Sequence, residues 1–423
     1  MKRLHGIIWG IGLLCGISAR AEELLVDHLD ELVIDERLTL RQVVDTTFER
    51  YPQNALISAF EEESRALEQR SSSWIAGYPM LYLQYIDDAV FGSDHGMTEI
   101  QTGYQVPLWM WGQKEASQRV TEESKQAAER YIVALKHEVA GLVRDALWTL
   151  RLMENRRELA RQIYEVAEKL TSVVQRRVEL GDLARADALL AESDQLEKKT
   201  ALVQAEAEVM HARKAYQNLT RMNRAPRRLE EMLSKMKVLD EQHPALAASN
   251  ASVERAQAEV EFTRLSKQGN QPTILIGTNS TEIQKQSDQL VGGGFGTGSN
   301  MVLQVPIGGD DWHAPQMAQA NLTLNEKIVQ RETLRRQLEK ALHEAHHTLE
   351  VDRTALEIAE RRKSIAETQL KMSRIAFEAG EIALIDYLKI QAGAQSAIRD
   401  AAERSILVQK DTAVYNQVVG VMP

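Results

Sequence analysis

Six of the nine prolines in this chain form three pairs, with one member of each pair in either half of the sequence. By subtraction, the members are 192, 193 and 199 residues apart. The pairs are Pro52 and Pro244, Pro79 and Pro272, and Pro107 and Pro306. The 199-residue offset extends to Gly181 and Gly380 and to Asp187 and Asp386. A repeat of this length is a whole structural module, so the sequence predicts a duplicated fold.

The first 21 residues have the pattern of an export signal. Lys2 and Arg3 form a basic start, residues 6–18 are an apolar core, and residues 19–21 read Ala-Arg-Ala. This pattern predicts cleavage after Ala21, and the core is too short to span a bilayer as a helix. The single cysteine, Cys15, lies inside this segment and follows Leu14, which is a poor fit to lipoprotein processing. The mature chain is therefore predicted to contain no cysteine and no lipid anchor.

The charge balance argues against nucleic acid as a partner. Removing residues 1–21 removes three of the 51 Lys and Arg, which leaves 48 against 61 Asp and Glu, or a formal charge of −13. A nucleic-acid-binding protein would instead have a basic face. After the signal, no stretch of eighteen consecutive apolar residues occurs, so the sequence predicts no transmembrane helix.

Two segments have the period of very long helices. No proline lies between Pro107 and Pro226, and the apolar residues there recur at steps of three and four. The pattern predicts one helix over about 112–179 and another from Pro315, in the first turn, to Glu378; each would be about 100 Å long. A glycine follows each helix, and shorter helical patterns continue over about 184–222 and 383–418. Two antiparallel helical hairpins are the expected result.

Strand-like sequence precedes each hairpin. Alternation of polar and apolar residues predicts strands over about 80–86, 97–106, 273–283 and 300–305, with polar, glycine-rich loops over 87–96 and 287–299. The glycines of residues 292–298 lack the spacing of a phosphate-binding loop.

The predicted organisation is a signal peptide (1–21), an N-terminal segment (22–36), two repeats (37–222 and 241–420) and a linker (223–240) between them. In the first repeat the strands lie within about 79–106 and the hairpin within about 112–222. In the second they lie within about 272–306 and 313–418. The predicted fold class is mainly α with a small β part.

Four strands per chain cannot close a barrel, and an open sheet edge is not tolerated in lipid. Three chains would supply twelve strands, and their hairpins could pack side by side into a tube. The sequence also allows a soluble helical protein with two small β-hairpins.

Three segments carry a resemblance to a known family. They are residues 38–52, with Leu-Thr-Leu, Val-Val and Tyr-Pro; residues 380–388 with Gln391; and residues 181–189, the first-half copy of that second motif. In order, duplication and spacing they resemble TolC-type outer-membrane channels over essentially the whole mature chain. The chain departs from the family pattern at Ala184 and Ala383, where the family often has Ser.

The resemblance implies a homotrimer with a twelve-stranded barrel in outer-membrane lipid, continued by a helical barrel across the periplasm of a Gram-negative bacterium. Pro107 and Pro306 would mark the change from barrel to helices. A periplasmic adaptor would dock at the hairpin tips, and an inner-membrane pump of the RND type would supply the energy. The tip residues implied are Gly181, Asp182, Leu183, Asp187, Gly380, Glu381, Ile382, Asp386 and Leu388. For Asp187 and Asp386, a structural role at the start of the second helix is the preferred interpretation.

Residues 74–85, 107–114 and 307–317 resemble the members of this family that are paired with heavy-metal cation pumps. The resemblance implies heavy-metal cations as cargo. Multidrug efflux and type I protein secretion are the alternatives within the family.

The turns carry several acidic residues that could form a gate. If Glu378, Glu381 or Asp386 point inward, three copies would make an acidic ring that favours cations. Arg374, one turn before Glu378, could pair with it and hold the tip closed. The candidate gate is therefore Arg374, Glu378 and Asp386. Solvated charges at a helix end are an equally good interpretation for any one of them.

Residues His343-Glu344-Ala345-His346-His347 match the zinc-protease pattern His-Glu-x-x-His. A catalytic zinc also needs a third ligand and a cleft for a bound water, neither of which a long charged helix offers. The first-half equivalent, residues 144–148, lacks the motif. We interpret the match as incidental and leave open whether a metal binds there transiently.

The predicted function is a passive export channel with no catalytic residues, no cofactor and no resident metal. A periplasmic coiled-coil adaptor or scaffold is the alternative from another class, and an adaptor is disfavoured because it has one hairpin rather than two copies of strands plus hairpin. A zinc peptidase is the remaining alternative.

Overall fold

The computed structural model of the chain describes residues 31–87, 97–266, 271–283 and 296–423. The predicted signal peptide and the loop residues 88–96 and 287–295 lie outside them. The helices of the described residues are α1 (Leu40–Arg50), α2 (Ala55–Ser72), α3 (Gln113–Glu179), α4 (Arg185–Thr220), α5 (Pro244–Ser266), α6 (Asp310–Glu378) and α7 (Leu384–Val418). The strands are β1 (Val33–Asp35), β2 (Met80–Asp87), β3 (Met97–Pro107), β4 (Arg224–Pro226), β5 (Thr273–Ile283) and β6 (Gly296–Gln304). The fold is mainly α with a small β part, as predicted.

Two helical hairpins dominate the structure. The long helices α3 and α6 have 67 and 69 residues, and the helices that return along them, α4 and α7, have 36 and 35. At 1.5 Å per residue, α3 and α6 are each about 100 Å long. Within the hairpins, α3 packs on α4 and α6 packs on α7. Between the hairpins, α3 contacts α7, so α4 and α6 are the outer helices of the pair of hairpins.

The start of α6 differs from the prediction. The helix begins at Asp310, so Pro315 lies in the second turn and not in the first. Gly308 and Gly309 redirect the chain after β6 with φ angles of 78° and 89°. The negative charges of Asp310 and Asp311, in the first turn, then stabilise α6 by interacting with the positive end of the helix dipole. Pro315 costs the helix one backbone hydrogen bond, which a helix of this length tolerates.

The sequence analysis missed the two medium-length helices α2 and α5. They follow the paired prolines Pro52 and Pro244, and both pack against α3. They also contact each other, because Arg255 forms an ion pair with Glu63 at 2.6 Å and the guanidinium of Arg70 lies 4.5 Å from the centroid of the Phe262 ring. These helices thicken the half of the long helices that lies nearer the sheet.

The predicted N-terminal segment and linker come together as a two-stranded parallel sheet. β1 pairs with β4 in the register Val33 to Arg224, and the Tyr216 hydroxyl donates to the Arg224 carbonyl at 2.8 Å. Below them lies the largest hydrophobic cluster, which α1, α3, α4 and α7 share: Leu32, Val43, Val44, Val139, Ala140, Val143, Leu147, Trp148, Leu150, Ala212, Tyr216, Ala225, Leu229 and Ala413. The family-like segment 38–52 thus forms α1 and contributes to this core.

A buried polar network joins α3 to the C-terminal residues. The Arg144 side chain, 3% exposed, forms an ion pair with Glu231 at 2.7 Å and donates to the Val421 carbonyl at 3.1 Å. The rings of His137 and His243, both buried, meet edge to face at 5.2 Å. Burial, together with the charges of His243 and Arg144, lowers the pKa of His137 to about 4.

The larger sheet has the antiparallel order β2-β3-β5-β6. Its register places Leu81, Tyr104, Ile276 and Met301 in one row across the four strands. The prediction for the last strand was too short, because residues 296–299 pair with residues 278–281 of β5 instead of forming a loop. Their backbone groups find partners in β5, and a segment of glycine and polar side chains does not reveal such pairing in the sequence.

Among the described helices, none has a stretch long and apolar enough to cross a membrane.

Gly103 and Gly277 face each other across β3 and β5. A Cβ on Gly103 would lie 2.7 Å from the Ile276 carbonyl oxygen, and one on Gly277 would lie 2.6 Å from the Gly103 Cα. The two strands therefore approach too closely for any side chain at this point.

We expect Gly277→Ala to destabilise the sheet by about 2 kcal/mol or more, because the backbone must move apart. Gly298→Ala is the matched control, since a Cβ there has nothing within 4 Å. The measurement is the thermal unfolding midpoint of the folded protein in detergent. Equal midpoints for the two variants would contradict this account of the glycine pair.

The buried His137 predicts loss of stability in acid. Its folded-state pKa lies below the ordinary histidine pKa of 6.5, so the neutral ring contributes stability that is complete above pH 6.5 and is lost as the pH falls towards 4. Between pH 7.5 and pH 5 the loss is about 2 kcal/mol. We expect His137→Leu to flatten this acid limb in denaturant titrations, whereas the exposed His343→Leu leaves it unchanged. An unchanged acid limb in His137→Leu would show that His137 does not cause it.

Candidate functional site

The two hairpin turns have the same backbone geometry. Gly181 and Gly380 adopt left-handed φ angles of 82° and 77°. In the first turn, the Gly181 N–H donates to the Val178 carbonyl at 3.1 Å and the Asp182 N–H to the Arg177 carbonyl at 2.9 Å. The second turn repeats both bonds, so each long helix ends in a Schellman motif, which requires the left-handed residue that glycine supplies.

The two aspartates after the turns differ in their contacts. Asp187 accepts a hydrogen bond from the Ala184 N–H at 3.2 Å, which satisfies a free donor at the start of α4. Asp386 is exposed and lies 3.8 Å from the Lys389 ammonium. The structural role expected from the sequence therefore describes Asp187 better than Asp386.

The tips of the two hairpins pack together through a small hydrophobic cluster. Its buried members are Val174, Ala191, Phe377, Leu384 and Tyr387, and the predicted tip residues Leu183, Ile382 and Leu388 pack around them. The rings of Phe377 and Tyr387 stack at 5.1 Å with an interplanar angle of 10°. Burial raises the pKa of Tyr387. The structure thus brings residues of both predicted turns into one site.

Arg177 is the polar contact between the tips, and the sequence analysis did not select it. Its guanidinium donates to the carbonyls of Phe377 at 3.5 Å and Glu378 at 3.1 Å, and lies 5.7 Å from the centroid of the Phe377 ring. These carbonyls lie at the C-terminal end of α6, where a positive charge is favourable. The sequence shows that Arg177 is a basic residue in the last turn of α3. It does not show that the side chain binds the C-terminal end of α6 and not that of α3.

The predicted ion pair of Arg374 and Glu378 is present, with 2.9 Å between Arg374 Nε and Glu378 Oε1. The hydrogen bond to Glu378 raises the pKa of Arg374. Both residues belong to α6, and their side chains are 69% and 60% exposed. A pair within one exposed helix turn contributes little stability. Within one chain, the pair does not link the two hairpins, whereas Arg177 does.

The His-Glu-x-x-His segment lies midway along α6. The side chains of His343, Glu344 and His347 are exposed, and the imidazole rings are 6.4 Å apart. Among the described residues, no group of three or more His, Cys, Asp or Glu is placed to hold a metal ion. The segment therefore has two imidazoles on one helix face and lacks the cleft that a catalytic zinc would need.

One face of the four-stranded sheet is apolar and open to solvent in the single chain. Seven of its large side chains are between 56% and 74% exposed: Leu81, Leu83, Tyr85, Tyr104, Ile276, Met301 and Leu303. The alternation of the strands places all their glutamine, asparagine and glycine residues on the other face, together with Glu99 and a few apolar residues such as Ile86 and Leu275. Exposed apolar surface of this extent is unusual in soluble monomers.

Large exposed side chains also cluster where the sheet joins the helices. Pro107 is the last residue of β3, and Pro306 follows the end of β6 by two residues. Around these two prolines lie Trp74, Tyr78, Trp111, Ile307 and Trp312, which are between 75% and 97% exposed.

The outer helices carry exposed apolar side chains at seven-residue spacing. On α4 they are Leu189, Leu196 and Val203; on α6 they are Val351, Ile358, Ile365 and Met372. We call these two sets the α4 stripe and the α6 stripe. A seven-residue apolar repeat is the pattern of helices that pack against a further helix, and no described segment of this chain covers either stripe.

Comparison with protein-family models and with curated proteins gives no match to this sequence. Solved structures do match. The outer membrane protein VceC of Vibrio cholerae is 13% identical, with a TM-score of 0.69 over 90% of this chain and 96% of VceC. The Campylobacter jejuni CmeC outer membrane channel is 15% identical, with a TM-score of 0.67 over 90% of this chain and 85% of CmeC. The Neisseria gonorrhoeae MtrE outer membrane channel, solved in its open state, is 14% identical, with a TM-score of 0.67 over 93% and 91%.

The chain has the fold of these outer-membrane channels. This confirms the fold that the resemblance to TolC-type channels implied. At 12–15% identity the matches establish the fold alone, so function and assembly rest on the residues described above.

We expect Arg177→Ala to loosen the contact between the hairpin tips, because two hydrogen bonds to α6 carbonyls are lost. The measurement is hydrogen exchange of the backbone amides at residues 179–183 and 378–382, which should become faster. Arg176→Ala is the matched control, since Arg176 forms its ion pair with Glu179 of its own helix, at 2.9 Å. Equal exchange in both variants would show that Arg177 does not hold the tips together.

Proposed function

We propose that this protein is a trimeric outer-membrane channel that passively conducts substrates out of the periplasm. The observation that carries the proposal is the exposed apolar face of the four-stranded sheet. Side chains such as Leu81, Leu83 and Tyr85 are stable in contact with lipid and costly in water. The polar opposite face suits a water-filled interior, which is the alternation of a membrane β-barrel.

The edges of the sheet support the trimer. β2 and β6 each pair on one side only within the described residues. In lipid, their free backbone groups need partners, and β6 of one chain can supply them to β2 of the next. Four strands from each of three chains give a closed barrel of twelve, an even number within the range of membrane barrels.

The exposed aromatic residues at the junction support a boundary there between membrane and periplasm. Trp74, Tyr78, Trp111 and Trp312 carry a large apolar ring with a polar group, and such residues concentrate at the edges of a bilayer. The barrel would then lie on one side of this belt, and the helical hairpins would extend into the periplasm on the other.

The two stripes support the same assembly in the helical part. Because α4 and α6 are the outer helices of each chain, the α4 stripe of one chain can pack against the α6 stripe of the next. Counting from the hairpin turn, Val166 and Val173 of α3 lie at the levels of Leu196 and Leu189 and are also exposed, which widens the α4 surface. Closing the barrel and covering the stripes are thus achieved by one arrangement of three chains.

The hairpin tips would form the periplasmic end of the tube. We propose that the two turns, from Gly181 to Asp187 and from Gly380 to Leu388, dock a periplasmic adaptor, which connects the channel to an inner-membrane pump. Arg374, Glu378 and Asp386 are exposed at this end, so three copies could meet there as a gate. The role of Arg177 in holding the two hairpins together would set the resting position of each tip.

Heavy-metal cations are the cargo that the sequence resemblance favours. In this proposal the pump makes most of the selection among substrates, and the channel contributes at most a preference for one sign of charge. The cargo assignment therefore rests on residues 74–85, 107–114 and 307–317 and on the acidic residues of the tips.

The full chain with its signal should fractionate with the outer membrane and have a native mass near three mature chains in mild detergent. Expressed with the matching pump and adaptor in a strain that lacks its own outer channel, it should restore tolerance to heavy-metal cations. A soluble periplasmic monomer would contradict the channel and favour the scaffold. An outer-membrane trimer that restores tolerance only to organic drugs would overturn the cargo.

The stripes allow a sharper test of the trimer. We expect the double variant Ile358→Asp and Ile365→Asp to lose the trimer, because two carboxylates per interface would be buried without partners. Glu360→Gln, at an exposed polar position of the same helix, is the control and should remain trimeric. A trimer of normal stability in the double variant would show that the α6 stripe is not an interface between chains.

A further inference from the structure

We propose that Glu99 forms a ring of three carboxylates inside the outer mouth of the barrel and makes this mouth selective for cations. The inference deepens the proposed function and rests on the trimer. It concerns the end of the tube opposite to the hairpin tips and is independent of the tip residues.

The register of the sheet places Glu99 on the polar face. Glu99 pairs with Ile86 of β2 and with Thr281 of β5, and Thr281 pairs with Gly296 of β6. Residues in one row point to the same side of a sheet, and the apolar row of Leu81 and Tyr104 points to the other side. With the apolar face in lipid, Glu99 faces the water-filled interior.

Glu99 is also the only charged residue on that face within the described strands. The remaining interior positions are neutral, and several are amides: Gln84, Gln101, Gln105, Asn279, Asn300 and Gln304. The Gln101 amide donates to the Glu99 carboxylate, and the Asn300 amide donates to Gln101 at 3.5 Å. The amides orient the carboxylate and supply no positive charge to neutralise it.

The position along the strand places Glu99 near the mouth. Pro107, where the chain leaves the sheet towards the helices, is eight residues further on, which corresponds to about 26 Å at 3.3 Å per residue. Gly296 lies in the same row as Glu99, and Gly298 lies in the row of Gln101 on the same face. Neither glycine has a side chain that could cover the Glu99 carboxylate. Among the described strands, the interior wall at this level therefore carries an uncompensated negative charge that no neighbouring side chain of β6 covers.

The size of the barrel decides whether three charges matter. Twelve strands about 4.8 Å apart, tilted by about 40°, give a barrel about 24 Å across, so each carboxylate lies about 10 Å from the axis. The Debye length is about 30 Å at 10 mM salt, 10 Å at 0.1 M and 3 Å at 1 M. The ring should therefore enrich cations about fourfold at the axis in 10 mM salt and have almost no effect in 1 M salt.

The test is the reversal potential of single channels in planar bilayers under a KCl gradient. With 10 mM salt on the barrel side, Glu99→Gln should lower the cation-to-anion permeability ratio several-fold, and Glu99→Asp should retain most of it. With 10 mM salt on the tip side and 1 M at the barrel, Glu99→Gln should match the wild type, because the ring is screened.

Glu282→Gln is the matched control. Glu282 of β5 pairs with Thr98, which precedes Glu99 in β3. Glu282 therefore lies at nearly the same level as Glu99 but on the opposite, outward face of the sheet. Its removal changes the charge of the chain equally and should leave the permeability ratio unchanged. Equal shifts in Glu99→Gln and Glu282→Gln, or no shift in Glu99→Gln, would overturn the ring while the channel stands. A wild-type protein that inserts no channels would instead overturn the proposed function, and the ring with it.

Discussion

The two edges of the four-stranded sheet, whose outer backbone groups have no strand beside them in the described part of the chain, are the constraint on which the rest of this structure depends. An edge strand in water can be left open, but an apolar sheet whose large side chains suit lipid cannot leave its edges open there. The described sheet of one chain has four strands, too few to close on itself. In the proposed trimer the closure comes from further copies, and the same copies would cover the open apolar stripes that α4 and α6 carry on the outer side of each pair of hairpins.

The strands and the helices each keep their exposed apolar side chains on one face, but with different sequence periods. In the sheet, a period of two separates an apolar row such as Leu81 and Tyr104 from a polar row such as Gln84 and Gln101. In the helices, a period of seven keeps the apolar side chains of Val351, Ile358, Ile365 and Met372 in line over about six turns of α6. The chain turns at glycines with left-handed φ angles. Gly181 and Gly380 lie where the long helices end, and Gly308 and Gly309 lie between β6 and α6.

The parts of the fold that could be predicted from sequence are those with a local cause. The ends of α3 and α7, both turn glycines and the alternating strand β3 follow from periodicity and from residues that stop a helix. Contacts between distant segments could not be predicted in this way. β1 pairs with β4 across 191 residues, taken from Val33 to Arg224, and Arg177 binds carbonyls 200 and 201 residues away. The start of β6 was missed for the same reason, since glycine and polar residues become a strand only because β5 lies beside them.

The duplication makes the departures from symmetry informative. A trimer of a perfect repeat would have six equivalent positions for every residue, whereas the 199-residue offset places Ala376 opposite Arg177 and Gly298 opposite Glu99. The Arg177 contact between the tips is thus made by a side chain of one hairpin only, and in the proposed trimer the mouth would have three carboxylates rather than six. A six-fold ring would double the charge in a barrel about 24 Å across and would hold cations more strongly at the exit. Conduction requires that ions also leave, so a three-fold ring favours entry of cations without retaining them.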